Sequence, residues 1–293
     1  MHIAIYSRTL KPKDIPYVQE VFDTMHRSGV QPYVHGAYFE QIKDHINFKS
    51  PIDVYEDNED LLRQKVDVVL SLGGDGTILD TVTLVRDSGV PIMGINLGRL
   101  GFLSSIGKEQ IPEAFQALEQ NAYMIERRSL LHLDSNLPLF SDAPYALNDF
   151  TILKRDTSSM ITVHAYINGE YLNSYWADGI IMATPTGSTG YSLSCGGPII
   201  FPDSGNFVIT PVAPHNLTVR PIVISDDTVV SFEIEGRVDS FLCTLDSRVE
   251  AITTRHQIAI RREDFTVNLI RLHDRNFMST IREKLSWGLD RRN

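Results

Sequence analysis

The sequence predicts two domains: a doubly wound, Rossmann-like α/β domain at the N-terminus, then an all-β domain built as an antiparallel sandwich. In the first hundred residues, wholly apolar runs alternate with helical patterns, as in a parallel sheet covered on both faces. Farther along, short runs of Val, Ile, Thr, Phe and Tyr are separated by turn residues, which is typical of antiparallel strands. A chain of 293 residues also favours two domains over one.

Local patterns give the elements of the first domain, residues 1–122. A β-prone run at 2–6 is followed by Asp14, which can cap a helix whose apolar residues recur every three or four positions. Wholly apolar runs and helical spacing predict the remaining elements in the same way. The predicted strands are 32–37, 66–72 and 91–95, and the predicted helices are 78–85 and 110–119.

The second domain, residues 123–272, is predicted to be β-rich throughout. Turn pairs such as Asn168-Gly169 separate its short apolar runs. Residues 273–293 have helical spacing again, and we expect them to form a C-terminal helix that returns to the first domain.

Composition excludes some classes of protein. The net charge of −10 argues against nucleic acid or an anionic membrane as the main partner. The first residues resemble a buried strand and not a signal peptide, and no apolar stretch reaches the roughly 18 residues of a membrane span. The two cysteines, Cys195 and Cys243, are compatible with one bridge, but reduced thiols in a cytoplasmic protein are favoured.

The strongest motif is the run Gly73-Gly74-Asp75-Gly76-Thr77, which follows a buried strand and precedes a helix. Glycines let the backbone approach a ligand, and the N–H groups of the following helix make an anion site. A carboxylate in such a loop repels phosphate, so Asp75 would bind a metal, take a proton, or both. The alternative is that Asp75 caps the helix. The position at the carboxyl end of a central strand favours a ligand site.

Three further blocks carry polar groups. Asn148-Asp149 begins a β-prone segment and can bind ribose hydroxyls, although in isolation a turn pair is the better interpretation. Asp178-Gly179-Ile180-Ile181 precedes the hydroxyl-rich run 184–194, whose simplest interpretation is a turn that caps a helix near Ser188. The run 96–102, NLGRLGF, is a second glycine-rich turn on the edge that carries Asp75. Neither a P-loop nor the usual dinucleotide-binding glycine fingerprint occurs.

Taken together, these blocks resemble the NAD kinase family. GGDGT, NLGRLGFL, the Asn-Asp pair and DGII…TPTGSTGYSLS stand in the family's order, and the likeness runs from about Val66 to Asp246. Ala213-Pro214-His215 with Arg220-Pro221 is a fifth matching piece. GGDGT alone is also found in diacylglycerol-type lipid kinases and phosphofructokinases, so the long hydroxyl-rich block carries the distinction.

The resemblance implies a role for each matching residue. Asp75 would accept the proton of the adenosine 2′-hydroxyl of NAD, and the glycines beside it would approach the phosphates. Asn148 and Asp149 would bind ribose hydroxyls, Asp178 would lie near the nicotinamide, and the 189–194 segment would line the adenine side. The residues implied to bind substrate or nucleotide are Gly73, Gly74, Gly76, Thr77, Phe102, Asn148, Asp149, Asp178, Thr189, Gly190, Tyr191, Ser192, Leu193, Ser194 and Asp246.

The same resemblance implies the partners. NAD would be the substrate, ATP or another phosphoryl donor such as polyphosphate the co-substrate, and Mg²⁺ the divalent metal, with its ligands unassigned. A homodimer or homotetramer in the cytoplasm is expected. Trp176 departs from the Arg or His that many members carry at this position, and this leaves the choice between NAD and NADH open. The alternatives are a lipid or sugar kinase that shares GGDGT and a non-catalytic NAD-binding sensor.

Overall fold

The computed structural model describes residues 1–155, 159–237, 239–273 and 276–286. The chain divides into two compact units: Arg128–Thr266 forms the second, and the segments before and after it form the first. The boundaries predicted from the sequence, 122/123 and 272/273, lie a few residues away, because the strand Val267–Arg271 joins the sheet of the first unit.

The elements up to the second unit are β1 (Ile3–Tyr6), α1 (Ile15–Arg27), β2 (Pro32–His35), α2 (Gly36–Ile42), β3 (Asp53–Tyr55), α3 (Asn58–Arg63), β4 (Val68–Leu72), α4 (Asp75–Val85), β5 (Ile92–Asn96), β6 (Ile106–Gly107), α5 (Ile111–Glu119) and β7 (Met124–Arg128). Those that follow are β8 (Leu131–Ser135), β9 (Tyr145–Ala146), β10 (Asp149–Lys154), β11 (Ile161–Ile167), β12 (Glu170–Ala177), β13 (Gly179–Ala183), α6 (Tyr191–Ser194), β14 (Asn206–Val212), β15 (Ile222–Ser225), β16 (Val230–Glu235), β17 (Phe241–Leu245), β18 (Arg248–Ile252), β19 (Ile258–Arg262), β20 (Val267–Arg271) and α7 (Phe277–Leu285). Single 3₁₀ turns lie at Pro12–Asp14, Lys108–Gln110 and Gly187–Thr189.

The first unit contains one sheet, in the order β3-β2-β1-β4-β5-β20-β7, with β6 beside β5. Strands β1 to β5 pair in parallel, and β4 and β5 are buried along their whole length. The strand order reverses between β1 and β4, because β1 leads outward to β2 while β4 leads the other way to β5. The doubly wound prediction is therefore confirmed. In open α/β sheets, ligands bind at such a reversal of strand order.

Two predicted boundaries in this unit were wrong. The strand predicted at 32–37 ends at His35, and Gly36 begins α2, because Tyr38 and Ile42 are buried at helical spacing. The helix predicted at 78–85 begins three residues earlier, at Asp75, and Gly74 stands before it in an extended conformation. Asp75 therefore lies in the first turn of α4, where the positive end of the helix dipole is nearest.

The second unit is the predicted sandwich. Its two six-stranded sheets have the orders β15-β14-β13-β10-β17-β18 and β12-β11-β16-β19-β8-β9, and neighbours in each are antiparallel. The sheets share one apolar core, in which Phe150 of β10 meets Phe232 of β16 with ring centroids 5.4 Å apart. Apolar residues alternate inward along these strands, as a packed sheet pair requires.

Helix α7 and the cysteines can be compared with the predictions, whereas residues 274–275 and 287–293 of the predicted C-terminal segment lie outside the described residues. Helix α7 belongs to the first unit, as expected for a returning C-terminal helix. Both cysteines are free, Cys243 in the core of the sandwich and Cys195 partly exposed. Within the described ranges, every helix is too short or too polar to cross a membrane.

Candidate active site

The glycine-rich loop connects β4 to α4, and its first glycine, Gly73, is sterically required. Gly73 has a φ of 153°, and a Cβ there would lie 2.3 Å from the Thr77 hydroxyl oxygen. The N–H of Gly73 donates to the carbonyl of Ile95 on the neighbouring strand at 2.9 Å. The loop is thus pressed against the sheet, while Gly74 faces open space and leaves its backbone accessible to a ligand.

The carboxylate of Asp75 is held by three backbone N–H groups of the NLGRLGFL turn. Its Oδ2 accepts from Phe102 at 2.8 Å, and its Oδ1 accepts from Leu103 at 3.1 Å and from Ser104 at 2.9 Å. Gly101 completes the contact, because a Cβ there would lie 1.8 Å from Oδ1. A carboxylate has about four lone-pair positions, so one remains, and it is on Oδ2.

A cavity of about 300 Å³ lies at the carboxyl ends of β1, β4 and β5. Residues from the segments 7–14, 72–77 and 96–99 line it. Four of them are cationic, Arg8, Lys11, Lys13 and Arg99, while Asp14 is the single carboxylate among the described lining residues. In a chain of net charge −10, this local excess of positive charge favours anions over cations at the cavity.

The cations that follow β1 were missed by the sequence reasoning. Arg8, Lys11 and Lys13 come directly after the first strand, and that strand is parallel to β4. The signal was available, because the carboxyl ends of neighbouring parallel strands meet at one edge of a sheet. The guanidinium of Arg8 also forms an ion pair with Asp80 on α4, which fixes the β1 end beside the glycine-rich loop.

In the second unit, Asp246 holds the Asn148-Asp149 pair. Its Oδ1 accepts the backbone N–H of Asn148 at 2.7 Å and that of Asp149 at 3.2 Å, and its Oδ2 accepts that of Leu147 at 2.9 Å. Asp246 itself has a φ of 54°, in the left-handed region that Asp tolerates better than most residues. The structure thus brings three of the predicted site residues together.

Asp149 and Asp246 also interact electrostatically. Burial, and then the charge of Asp246, raise the pKa of Asp149 to about 7. Burial raises the pKa of Asp246 as well, but its three backbone N–H donors and Arg248 oppose that change. Burial therefore disfavours the charged form of both carboxyls, and the three N–H donors and Arg248 offset this in part for Asp246.

Hydrogen bonds and close packing join the start of the hydroxyl-rich run to the segment that carries Asn148 and Asp149. The Thr184 hydroxyl donates to the carbonyl of Leu147 at 2.6 Å and accepts the N–H of Gly187 at 3.1 Å. A Cβ at Gly187 would lie 2.0 Å from the carbonyl oxygen of Asn148, so only glycine fits. The turn and the Asn148-Asp149 pair therefore form one rigid cluster.

The remainder of the run divides into buried and accessible residues. The hydroxyls of Thr189 and Ser192 are used internally, the first donating to the carbonyl of Thr186 at 3.1 Å and the second bonding to the Thr210 hydroxyl at 2.8 Å. Leu193 is half-buried. Gly190, Tyr191 and Ser194 are exposed, so of the predicted residues 189–194 these three face solvent most openly.

Asp178 and Trp176 lie at the end of β12. The carboxylate of Asp178 pairs with the ammonium of Lys154 at 2.5 Å. Trp176 is 51% exposed, and its ring packs on that of His215 with centroids 4.3 Å apart. His215, in the Ala213-Pro214-His215 segment, thus contacts Trp176, the residue that differs from the Arg or His of many family members.

The fold defines a protein with a doubly wound α/β domain, which carries the glycine-rich loop, and a second, β-rich domain. Two family models match the chain: the ATP-NAD kinase N-terminal domain at residues 3–123 and the ATP-NAD kinase C-terminal domain at residues 147–272. The chain belongs to the NAD kinase family, as the resemblance of its motifs indicated.

Curated relatives support this assignment over the whole length. The chain is 44% identical over 294 residues to an NAD kinase of Cytophaga hutchinsonii and 40% identical over 292 residues to one of Bacteroides fragilis, with both chains of each pair fully covered. Among solved structures, an NAD kinase from Archaeoglobus fulgidus in complex with ATP is 25% identical with a TM-score of 0.76, covering 98% of this chain and all of that one. A yeast NADH kinase complexed with NADH has the same fold, with a TM-score of 0.89 at 23% identity, over 99% of this chain and 88% of that one.

Proposed function

We propose that this chain is an NAD kinase that transfers the terminal phosphoryl group of ATP to the 2′-hydroxyl of the adenosine ribose of NAD, giving NADP and ADP. A bond forms between the 2′-oxygen and the γ-phosphorus, and the bond from the γ-phosphorus to the bridging oxygen breaks. The proton of the 2′-hydroxyl passes to a carboxylate, for which we propose Asp75.

The cationic cavity carries this proposal. It lies where the strand order reverses, and it is bordered by Gly73 and Gly74. Its cations outnumber its carboxylates even with Arg8 paired to Asp80 and with Asp14 in the lining, so the cavity has a net positive charge that attracts phosphates. Phosphoryl transfer has a loose transition state, so the protein mainly positions groups and neutralises charge. A cavity bordered by the accessible backbone of Gly74 and by several cations fits that task. We assign it to the donor phosphates, with Gly76 and Thr77 as part of the same loop.

The geometry of Asp75 supports its role as proton acceptor. Three of its lone-pair positions are used by the 101–104 turn, and the remaining position on Oδ2 is left for one proton. A general base must be held in place within hydrogen-bond reach of the proton it takes. The turn holds Asp75 in this way, and we propose that Phe102, in the same turn, contacts the adenine.

For the second unit, we propose that Asn148 and Asp149 bind ribose hydroxyls of NAD and that Asp246 positions them. The cluster around Asp246 supports this proposal, because it holds the backbone of Asn148 and leaves the side chain of Asn148 partly accessible. The adenine side is assigned to Thr189, Gly190, Tyr191, Ser192, Leu193 and Ser194, with the internally bonded Thr189 and Ser192 shaping the wall. Asp178 is assigned to the nicotinamide end.

Mg²⁺ fits this reaction as a companion of the donor. Across the described part of the chain, His, Cys, Asp and Glu nowhere form a group of three or more that could hold a metal ion. Magnesium in kinase sites is usually held by substrate phosphates with one or two carboxylates. We therefore propose that it arrives with ATP and neutralises the developing charge, while the chain supplies the cations of the cavity. We also propose assembly as a homodimer or homotetramer and a cytoplasmic location, both from the family resemblance.

The test is to incubate the purified protein with NAD, ATP and Mg²⁺ and to detect NADP with a strictly NADP-dependent dehydrogenase. We expect NADP from the wild type and a loss of about 10²-fold or more in Asp75→Asn. The dissociation constants for NAD and ATP and the melting temperature of the variant should be measured together with turnover. Near-normal turnover would refute the base assignment, and NAD binding without product from any donor would favour the sensor. Phosphorylation of a diacylglycerol or a hexose, without NADP, would favour the lipid or sugar kinase.

A further inference from the structure

Arg271 is the last residue of β20 and one of the most buried large side chains of the protein, with 1% of its surface exposed. Burying a guanidinium is costly unless it is paired. Its Nε contacts the Glu126 carboxylate at 2.7 Å, while Nη1 is buried with no hydrogen-bond partner among the described residues. An ion pair between the neighbouring strands β20 and β7 does not need complete burial, so the pair alone does not account for the position of this arginine.

The other contact of Arg271 leads to the proposed catalytic carboxylate. Its Nη2 donates to the carbonyl oxygen of Phe102 at 3.3 Å, and the N–H of Phe102 donates to Oδ2 of Asp75 at 2.8 Å. Phe102 is thus held on both of its backbone polar groups. It lies in a turn outside any helix or strand, where few other bonds set its orientation.

Only one of the three N–H donors is coupled in this way. Leu103 and Ser104 bond to Oδ1, but Phe102 bonds to Oδ2, the oxygen with the free lone-pair position. The direction of the Phe102 N–H therefore decides where that position points. A displacement of about 1 Å at a reacting group can lower a rate by roughly 10²-fold.

We propose that Arg271 is a positioning residue for phosphoryl transfer: through the carbonyl of Phe102 it orients the turn that aims Oδ2 of Asp75 at the acceptor hydroxyl. This inference rests on the proposed function of Asp75. Arg271 touches neither substrate. It lies on β20, which follows the whole second unit in the sequence and belongs to the sheet of the first.

The variants separate positioning from simple stabilisation. Arg271→Lys keeps a charge for Glu126 but lacks the planar fork that reaches two acceptors. Glu126→Gln keeps the donor to Phe102 and removes the ion pair. Because removing one partner leaves a buried charge, the double variant Arg271→Met/Glu126→Gln is included to keep the protein folded. Arg261→Met serves as the control, since Arg261 pairs with Asp134 on the sandwich surface.

The measurements are kcat, KM for NAD, KM for ATP and the melting temperature. We expect Arg271→Lys and the double variant to lower kcat by roughly 10- to 100-fold with both KM values unchanged. Glu126→Gln and Arg261→Met should keep kcat close to that of the wild type. If kcat falls only as far as the folded fraction falls, or falls equally in Glu126→Gln, Arg271 is merely structural and the proposal is overturned.

A double-mutant cycle with Asp75→Asn distinguishes this proposal from the one on which it rests. If Arg271 acts through Asp75, adding Arg271→Lys to Asp75→Asn costs little further turnover, because the two residues act as a unit. If the two losses multiply, the route through Phe102 is refuted while the base survives. Should Asp75→Asn turn over normally, the base assignment fails first, and the positioning role fails with it.

Discussion

Asp75 and Asp246 make the same hydrogen-bonding arrangement, one in each unit of the chain. Each carboxylate accepts three consecutive backbone N–H groups, those of residues 102–104 for Asp75 and those of 147–149 for Asp246. In both, one oxygen accepts two donors and the other accepts one. The two residues need not share a function to share this geometry, since a carboxylate is a strong acceptor for the N–H groups of a turn.

This arrangement alters how Asp75→Asn is interpreted. An asparagine has only one acceptor oxygen. Its NH₂ group would therefore face a backbone N–H that bonds to a carboxylate oxygen in the wild type. The substitution therefore removes the proposed base and also weakens the 101–104 turn. Unchanged binding of NAD and ATP alongside lost turnover would assign the defect to the proton transfer, whereas weakened binding would assign it to the turn.

Gly101→Ala should lower turnover by roughly 10- to 100-fold, because its methyl group would lie 1.8 Å from Oδ1 of Asp75 and displace the carboxylate. The control is Gly107→Ala, outside the residues that line the cavity, where the nearest atom to a Cβ is the carboxylate of the flexible Glu109 side chain at 3.2 Å. Steady-state kinetics on both variants, with melting temperatures, checks this. Equal activity of the two variants would show that the position of Asp75 does not matter.

Replacing Lys11 and Lys13 together by Gln should raise KM for ATP several-fold and leave KM for NAD unchanged, because two cations of the donor cavity are lost. The dependence of KM for ATP on ionic strength should also become weaker. Lys65→Gln, an exposed lysine that does not line the cavity, is the control. An unchanged KM for ATP in the double variant would place the donor elsewhere.

Asp149→Asn should gain stability relative to the wild type as the pH rises from about 4 to 7. The carboxyl of Asp149 has its pKa raised from 3.8 to about 7, so it folds most favourably when protonated. Its contribution is present in full below about pH 4 and is lost as pH rises through 7, which amounts to a few kcal/mol. Melting temperatures from pH 5 to 8 test this, and a constant difference between the two proteins would contradict it.

Removal of divalent metal should abolish turnover without unfolding the protein. Because no group of three or more metal-ligating side chains is found in the described residues, we expect EDTA to leave the melting temperature and NAD affinity unchanged. Added Mg²⁺ should restore the rate. A lower melting temperature in EDTA would instead reveal a structural metal and would overturn this assignment.

The sequence was sufficient for the architecture and for the loop that carries Asp75. Apolar strands and the GGDGT run are local signals, so β4, α4 and the sandwich could be predicted from them. The partners of Asp75 and Asp246 could not, because they depend on which backbone N–H groups the turns aim at each carboxylate. The burial that raises the pKa of Asp149 has no signature in the local sequence either.

Other misses had a signal that was not used. Lys11 and Lys13 follow β1, and the parallel pairing of β1 with β4 places them at the edge that carries the glycine-rich loop. Arg271 is different, because a cation at the end of a β-prone run gives no sign that it is buried. The entry of β20 into the first sheet depends on the three-dimensional arrangement of segments far apart in sequence.

The late return of β20 has a consequence for synthesis. A ribosome adds about 5–20 residues per second, so the strand that completes the first sheet emerges roughly ten to thirty seconds after β5. During that interval the sandwich can fold, while the start of β5, which β6 does not cover, keeps an open edge until β20 pairs with it. A nascent chain that is released before residue 267 would expose this edge to aggregation and to proteases.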